Sequence, residues 1–191
     1  KFIYKIYKII KKKYKILAKL ETLETGKNFD DAKKEILHSA KIWLYASKSI
    51  KNYSYEKKLN SNHSAIVKYE PVGIVALIVP WNFPFVVMSE RLPFILAAGC
   101  SVVNKPSEYA SGTSLMLCDI LKKSGLPNGV YNVLTGYGNK IGKTLVEHKD
   151  ISMISKSSSV ASSARSSLLF MPAAFNLEIS SDESSRSLSD S

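Results

Sequence analysis

The stretch Gly73-Ile74-Val75-Ala76-Leu77-Ile78-Val79-Pro80-Trp81-Asn82-Phe83-Pro84 joins a buried strand to a stiff turn. Residues 73–79 lack the alternation of a half-solvated strand, which predicts a central strand covered on both faces. Two prolines and two aromatics then end the strand and stiffen the turn around Asn82. Upstream, Ile66–Tyr69 predicts another strand. Downstream, Phe85–Ala98 predicts a helix interrupted at Pro93, Ser101–Asn104 a strand and Gly112–Ser124 a helix. Val130–Leu134 and Ile151–Ile154 predict further strands, separated by a helix over about Asn139–His148. Strands and helices in this alternation predict an α/β fold, a parallel sheet with flanking helices and right-handed crossovers. Ligands of such sheets bind at the carboxyl ends of the strands.

Working outward, residues 1–62 predict an N-terminal helical segment of the same domain. Phe2, Ile3, Ile6, Ile9, Ile10, Ile16, Leu17 and Leu20 fall on one helical face. Gly26 predicts the stop, Asp30 and Asp31 the start of a second helix, and Ile36, Leu37, Ala40, Trp43, Leu44 and Ser47 its apolar face. Residues 63–154 make the sheet region. Residues 155–191 change character: 15 of these 37 residues are serine and none is glycine. Sequence of this kind buries too little apolar area to offset its ordering entropy, so a disordered tail is expected.

Composition narrows the function classes. The 191 residues carry 27 Lys plus Arg against 16 Asp plus Glu, and eight lysines in residues 1–20 account for +8 of the net +11. That basic character belongs to one segment, whereas a nucleic-acid footprint is a surface of a folded domain. Gly73–Trp81, the longest apolar run, is too short to span a bilayer. Neither nucleic acid nor membrane is therefore the expected partner. The rival use of the N-terminal helix, as a basic amphipathic element at a membrane or nucleic-acid surface, predicts strongly salt-dependent binding. Two cysteines, Cys100 and Cys118, make no disulfide framework and fit a reducing compartment, here the cytoplasm.

Three clusters hold residues suited to chemistry. In Pro80-Trp81-Asn82-Phe83-Pro84 a carboxamide is fixed in a rigid apolar turn, which suits a neutral donor to an oxyanion as well as an Asn that caps its own turn. In Lys105-Pro106-Ser107-Glu108, Lys105 and Glu108 can both reach a ribose, the Lys donating and the Glu accepting. A carboxylate there also repels a 2′-phosphate, which favours NAD over NADP. Gly136, Gly138 and Gly142 form a GxGxxxG between a strand and a helix, where glycines admit a phosphate to helix N-terminal N–H groups. The spacing is one residue longer than the common dinucleotide fingerprint. Cys100 and Cys118 read as small buried hydrophobes, and His38, His63 and His148 show no metal-ligand spacing, so no metal is expected.

Taken together, Glu70-Pro71-Val72-Gly73-Ile74-Val75, the Pro80–Pro84 turn, Ala97–Glu108 and Gly125-Leu126-Pro127-Asn128-Gly129-Val130-Tyr131-Asn132-Val133-Leu134-Thr135-Gly136 resemble the Rossmann-like cofactor domain of the aldehyde dehydrogenase superfamily. Glu21-Thr22-Leu23-Glu24-Thr25-Gly26-Lys27 is similar to its early helical segment, and the resemblance covers about residues 1–154. It implies NAD(P)-dependent oxidation of an aldehyde to a carboxylic acid through a cysteine thiohemiacetal, usually in a homo-oligomer. It makes Asn82 the oxyanion donor, puts Lys105 and Glu108 on the adenosine ribose with Ser107 between them, and lines the cofactor cleft with Val79, Pro80 and Trp81.

The chain departs from the family at Lys156-Ser157-Ser158-Ser159, where Phe-Thr-Gly-Ser would meet the cofactor phosphates. Leu177-Glu178-Ile179-Ser180-Ser181 only faintly echoes the Leu-Glu-Leu-Gly-Gly that carries the water-activating glutamate. Neither cysteine occupies the nucleophile's place. A fragment inactive by itself is therefore expected, with an altered reading frame as the source of residues 155–191. The alternative is a nucleotide-binding remnant without chemistry.

Overall fold

A computed structural model describes residues 1–49, 55–60, 63–156 and 174–181. Two helices come first, α1 (Phe2–Thr25) and α2 (Phe29–Ser49). Gly26 ends α1 in the left-handed region at φ 71°, and its N–H donates to the Thr22 carbonyl at 3.0 Å. Asp30 and Asp31 lie in the first turn of α2, where the helix dipole favours them. Ile3, Ile6, Ile10 and Leu17 of α1 are buried with Ile36, Ala40 and Trp43 of α2. Ile16, assigned above to the buried face, is 55% exposed because it lies one position round the helix from Leu17.

The sheet region follows as β1 (Tyr55–Asn60), β2 (His63–Glu70), β3 (Ile74–Val79), α3 (Pro84–Ser89), α4 (Leu92–Ala97), β4 (Ser101–Pro106), α5 (Gly112–Ser124) and β5 (Tyr131–Val133). A π-helical turn (Gly138–Gly142) leads into α6 (Lys143–Glu147), then β6 (Ile151–Lys156) and β7 (Ala174–Ser181). Strands β5, β4, β3 and β6 lie side by side in that order, all parallel, with β3 central as its sequence predicts. Leu77 and Val79 of β3, Phe85 and Met88 of α3, Leu92, Val102, and Leu117, Ile120 and Leu121 of α5 join the core begun by α1 and α2. The helical segment and the sheet therefore share one core.

Four elements correct the sequence expectations. β1 lies inside the segment expected to be helical; it pairs antiparallel with β2, from Tyr55 opposite Val67 onward. The helix expected over Phe85–Ala98 is two, separated at Glu90 and Arg91, and Pro93 stands in the first turn of the second, where its missing N–H costs nothing. The third is the helix expected from Asn139, which opens as a π turn. Finally, Ala174–Ser181, within the segment read as a serine-rich tail, is placed as a strand, β7, antiparallel to β2, with Glu178 opposite Ile66. Of the tail expected from residue 155, residues 155–156 complete β6, and 157–173 and 182–191 lie outside the described residues.

Candidate functional site

The chain order reverses across β3. β4 and β5 extend the sheet to one side and β6 to the other, so the carboxyl end of β3 is the topological switch point where such sheets open a crevice. Register places Ile78 beside Lys105 and Val79 beside Pro106, and the N–H of Ser107 donates to the Val79 carbonyl at 2.9 Å. Val79 is buried, Pro80 half-buried, and Trp81 and Asn82 exposed. The first two predicted clusters thus meet at the carboxyl ends of β3 and β4.

Lys105 is only 4% exposed. Its ammonium reaches Glu108 Oε2 at 3.3 Å. The N–H of Glu108 itself, then the Lys105 ammonium and the N–H of Gly138, hold the Glu108 carboxyl below its ordinary value against the opposing effect of burial. Glu108 is therefore an ionised acceptor at neutral pH. Ser107 shapes the turn between the two: its hydroxyl accepts from the N–H of Tyr109 at 3.3 Å and its carbonyl from the Ser111 hydroxyl at 3.0 Å.

The glycines divide. Gly136 has φ 143°, and a Cβ there would run into Ile141 Cδ1. At Gly138 a Cβ would stand 3.8 Å from the Lys105 ammonium, an ordinary contact that places this turn beside Lys105. Gly142 meets nothing within 4 Å and stays apart from the cluster. The N–H groups of Lys140 and Ile141 both close onto the Tyr137 carbonyl, at 3.1 and 3.0 Å, and that of Gly138 serves Glu108. The glycine turn is thus built to support Glu108, and its N–H groups at 138, 140 and 141 are already committed.

On the opposite face of β4, Asn104 is buried and donates to the Tyr131 hydroxyl at 2.7 Å and to Ser114 Oγ at 3.2 Å. Burial pushes the Tyr131 phenol up. This network ties β4 to β5 and α5 directly behind Lys105.

Asn82 is held by a contact that motif spacing did not disclose. Its carbonyl accepts from Lys27 Nζ at 3.0 Å, and the same ammonium lies 4.3 Å from the centre of the Phe83 ring. Lys27 also pairs with Glu21 at 3.3 Å and, more closely, with Glu35. The Asn82 carboxamide makes no hydrogen bond among the described residues. It is not spent on capping its own turn. One signal in sequence pointed here: Glu21 sits on the apolar stripe of α1, four residues after Leu17, and is fully buried. Glu24, a turn further on, accepts from the N–H groups of Gly112 and Thr113 and so caps α5.

Cys100 is buried, and burial with the neighbouring Asp119 charge pushes the Cys118 thiol up, the opposite of an activated nucleophile. Among the described residues no cluster suits a metal ion, and no helix is long and apolar enough to cross a membrane.

A fixed ammonium and an ionised carboxylate stand side by side at the switch point, a donor and an acceptor of the kind that suits the hydroxyls of a ribose. The sequence profile of the aldehyde dehydrogenase family matches residues 1–165. The chain belongs to the aldehyde dehydrogenase family. It is 37% identical over 162 residues to aminoaldehyde dehydrogenase 1, peroxisomal, of Pisum sativum, covering 82% of this chain and 32% of that protein. To the NADP/NAD-dependent aldehyde dehydrogenase PuuC of Escherichia coli (strain K12) it is 41% identical over 140 residues, 72% of this chain and 28% of that one. The crystal structure of an NAD-dependent aldehyde dehydrogenase from Sinorhizobium meliloti superposes with a TM-score of 0.78 at 38% identity, covering 81% of this chain and 31% of that one. Betaine aldehyde dehydrogenase from Staphylococcus aureus in complex with NAD+ gives 0.77 at 29% identity over 81% and 31% of the two chains. The chain spans about a third of the length of these aldehyde dehydrogenases. The family profile runs on past residue 154, where the resemblance read from motifs stops.

Proposed function

We propose that this chain forms the cofactor side of an NAD-dependent aldehyde dehydrogenase, which oxidises an aldehyde to a carboxylic acid. The observation that carries this is the buried Lys105 paired with an ionised Glu108 at the switch point. Lys105 would donate to a hydroxyl of the adenosine ribose and Glu108 accept from its neighbour, while Val79, Pro80 and Trp81 line the crevice. Bound NAD supplies the acceptor for hydride. The free carboxamide of Asn82 would donate an N–H to the oxyanion that develops as a thiolate adds to the aldehyde, a preorganised dipole that needs no proton of its own. Neither Cys100 nor Cys118 supplies that thiolate, so no aldehyde oxidation is assigned to these residues acting alone. The intact enzyme is read as a cytoplasmic homo-oligomer, from its free cysteines and its family. Residues 155–191 are read as the product of an altered frame, which translating the coding DNA in all three frames would test.

The experiment is a calorimetric titration of the full chain with NAD+. Binding is expected, and Lys105→Ala should weaken it by about tenfold or more, the effect of one lost charged hydrogen bond. Glu108→Gln should narrow the preference for NAD+ over NADP+. No binding at millimolar NAD+, or an unchanged affinity in Lys105→Ala, would contradict the proposal.

A further inference from the structure

The ammonium of Lys27 has three N–H donors and three acceptors: Glu21 Oε1, Glu35 Oε2 and the Asn82 carbonyl. These come from α1, α2 and the turn after β3, so one side chain ties three separate stretches of chain. Its own position is fixed too. Gly26 turns the chain at φ 71°, and the Lys27 N–H donates to Thr25 Oγ1 at 3.2 Å, whose hydroxyl in turn donates to the Glu21 carbonyl at 2.7 Å. The Phe83 ring, 4.3 Å from the ammonium at its centre, gives a fourth contact, from the residue next to Asn82.

Such a centre is more than helix glue. A salt bridge that only joined α1 to α2 would be complete with Glu21 and Glu35; the third donor and the ring both go to the turn that bears the carboxamide. We infer that Lys27 is a positioning residue for Asn82: the ammonium, anchored by Glu21 and Glu35, holds the backbone of the turn so that the Asn82 carboxamide is presented free and in one place. This rests on the oxyanion role proposed above for Asn82. A pre-placed donor stabilises developing charge without reorganising, whereas a turn that wanders would lose that advantage.

The test uses the full chain, labelled with 15N, and reads the backbone order parameter of Asn82 and Phe83. In the parent both are expected near the rigid value of about 0.85. In Lys27→Met they should fall below about 0.6, while α1, α2 and β3 keep their values. If Lys27→Met fails to fold because the buried Glu21 and half-buried Glu35 lose their cation, the double variant Lys27→Met with Glu21→Gln replaces it, compared with Glu21→Gln alone. A folded variant in which Asn82 and Phe83 stay as rigid as in the parent would overturn the inference. So would equal loosening throughout α1 and α2, the mark of a merely structural residue. NAD+ titration of the same samples reports separately on the cofactor reading, since Lys27 touches none of Lys105, Ser107 or Glu108.

Discussion

Replacing Trp43 by alanine is expected to cost about 3–5 kcal/mol of folding stability, the largest effect of any single truncation here. Trp43 is completely buried in α2, and its indole N–H donates to Ser89 Oγ at 3.1 Å on α3, also completely buried. Alanine would leave a cavity between the helical segment and the sheet's helices, and a buried hydroxyl without its donor. Against a total stability of about 5–15 kcal/mol, that is enough to populate unfolded chain. Trp43→Phe keeps most of the volume and should cost only about 1–2 kcal/mol. Urea unfolding followed by far-ultraviolet circular dichroism measures both. A loss below about 1 kcal/mol in Trp43→Ala would mean that α2 does not pack as described.

The second large effect is on pH dependence. Burial pushes the Glu21 carboxyl from 4.5 up to about 7, helped by Glu35 and opposed by the Lys27 ammonium. The folded state therefore binds a proton between these values that the unfolded state has released. Stability contributed by that proton is fully present below pH 4.5 and is lost as pH rises through about 7. Glu21→Gln should remove this slope and unfold at higher denaturant than the parent at pH 8. The groups that face Glu21 are Lys27 and Glu35, and Glu35 is left in place by this change. A parent whose stability is flat or rises from pH 5 to pH 8 would contradict the burial of Glu21.

Much of the fold was legible because its signals are local. The buried run of β3 shows as continuous apolar sequence, α5 as a helix with the same bounds as observed, and the end of α1 as Gly26. β1 was not legible: Tyr55-Glu56-Lys57-Lys58-Leu59-Asn60 has no apolar alternation, and its place comes from backbone pairing with β2. β7 does alternate, at Phe175, Leu177 and Ile179, but the serine-rich surroundings outweighed that period. The π turn at Gly138–Gly142 has no signature distinct from a glycine-rich helix start.

The candidate site divides on the same line. Val79, Lys105, Ser107 and Glu108 come together because two adjacent parallel strands end in register, which the alternation of strands and helices already implies. Lys27 reaches Asn82 across 55 residues of sequence, and such a contact exists only once α1 and α2 have packed. A glutamate on the apolar stripe of α1 marked the place without naming its partner. Gly142 shows the converse, a residue that completed a motif in sequence and stands apart from the cluster in space.

The most direct test of the cofactor crevice is saturation-transfer NMR of NAD+ with the full chain. The protons of the adenosine ribose should receive the strongest transfer, and Lys105→Ala should diminish it while leaving the fold intact. Transfer that is uniform over the dinucleotide, or undiminished in Lys105→Ala, would mean that the carboxyl edge of β3 and β4 is not where the cofactor binds.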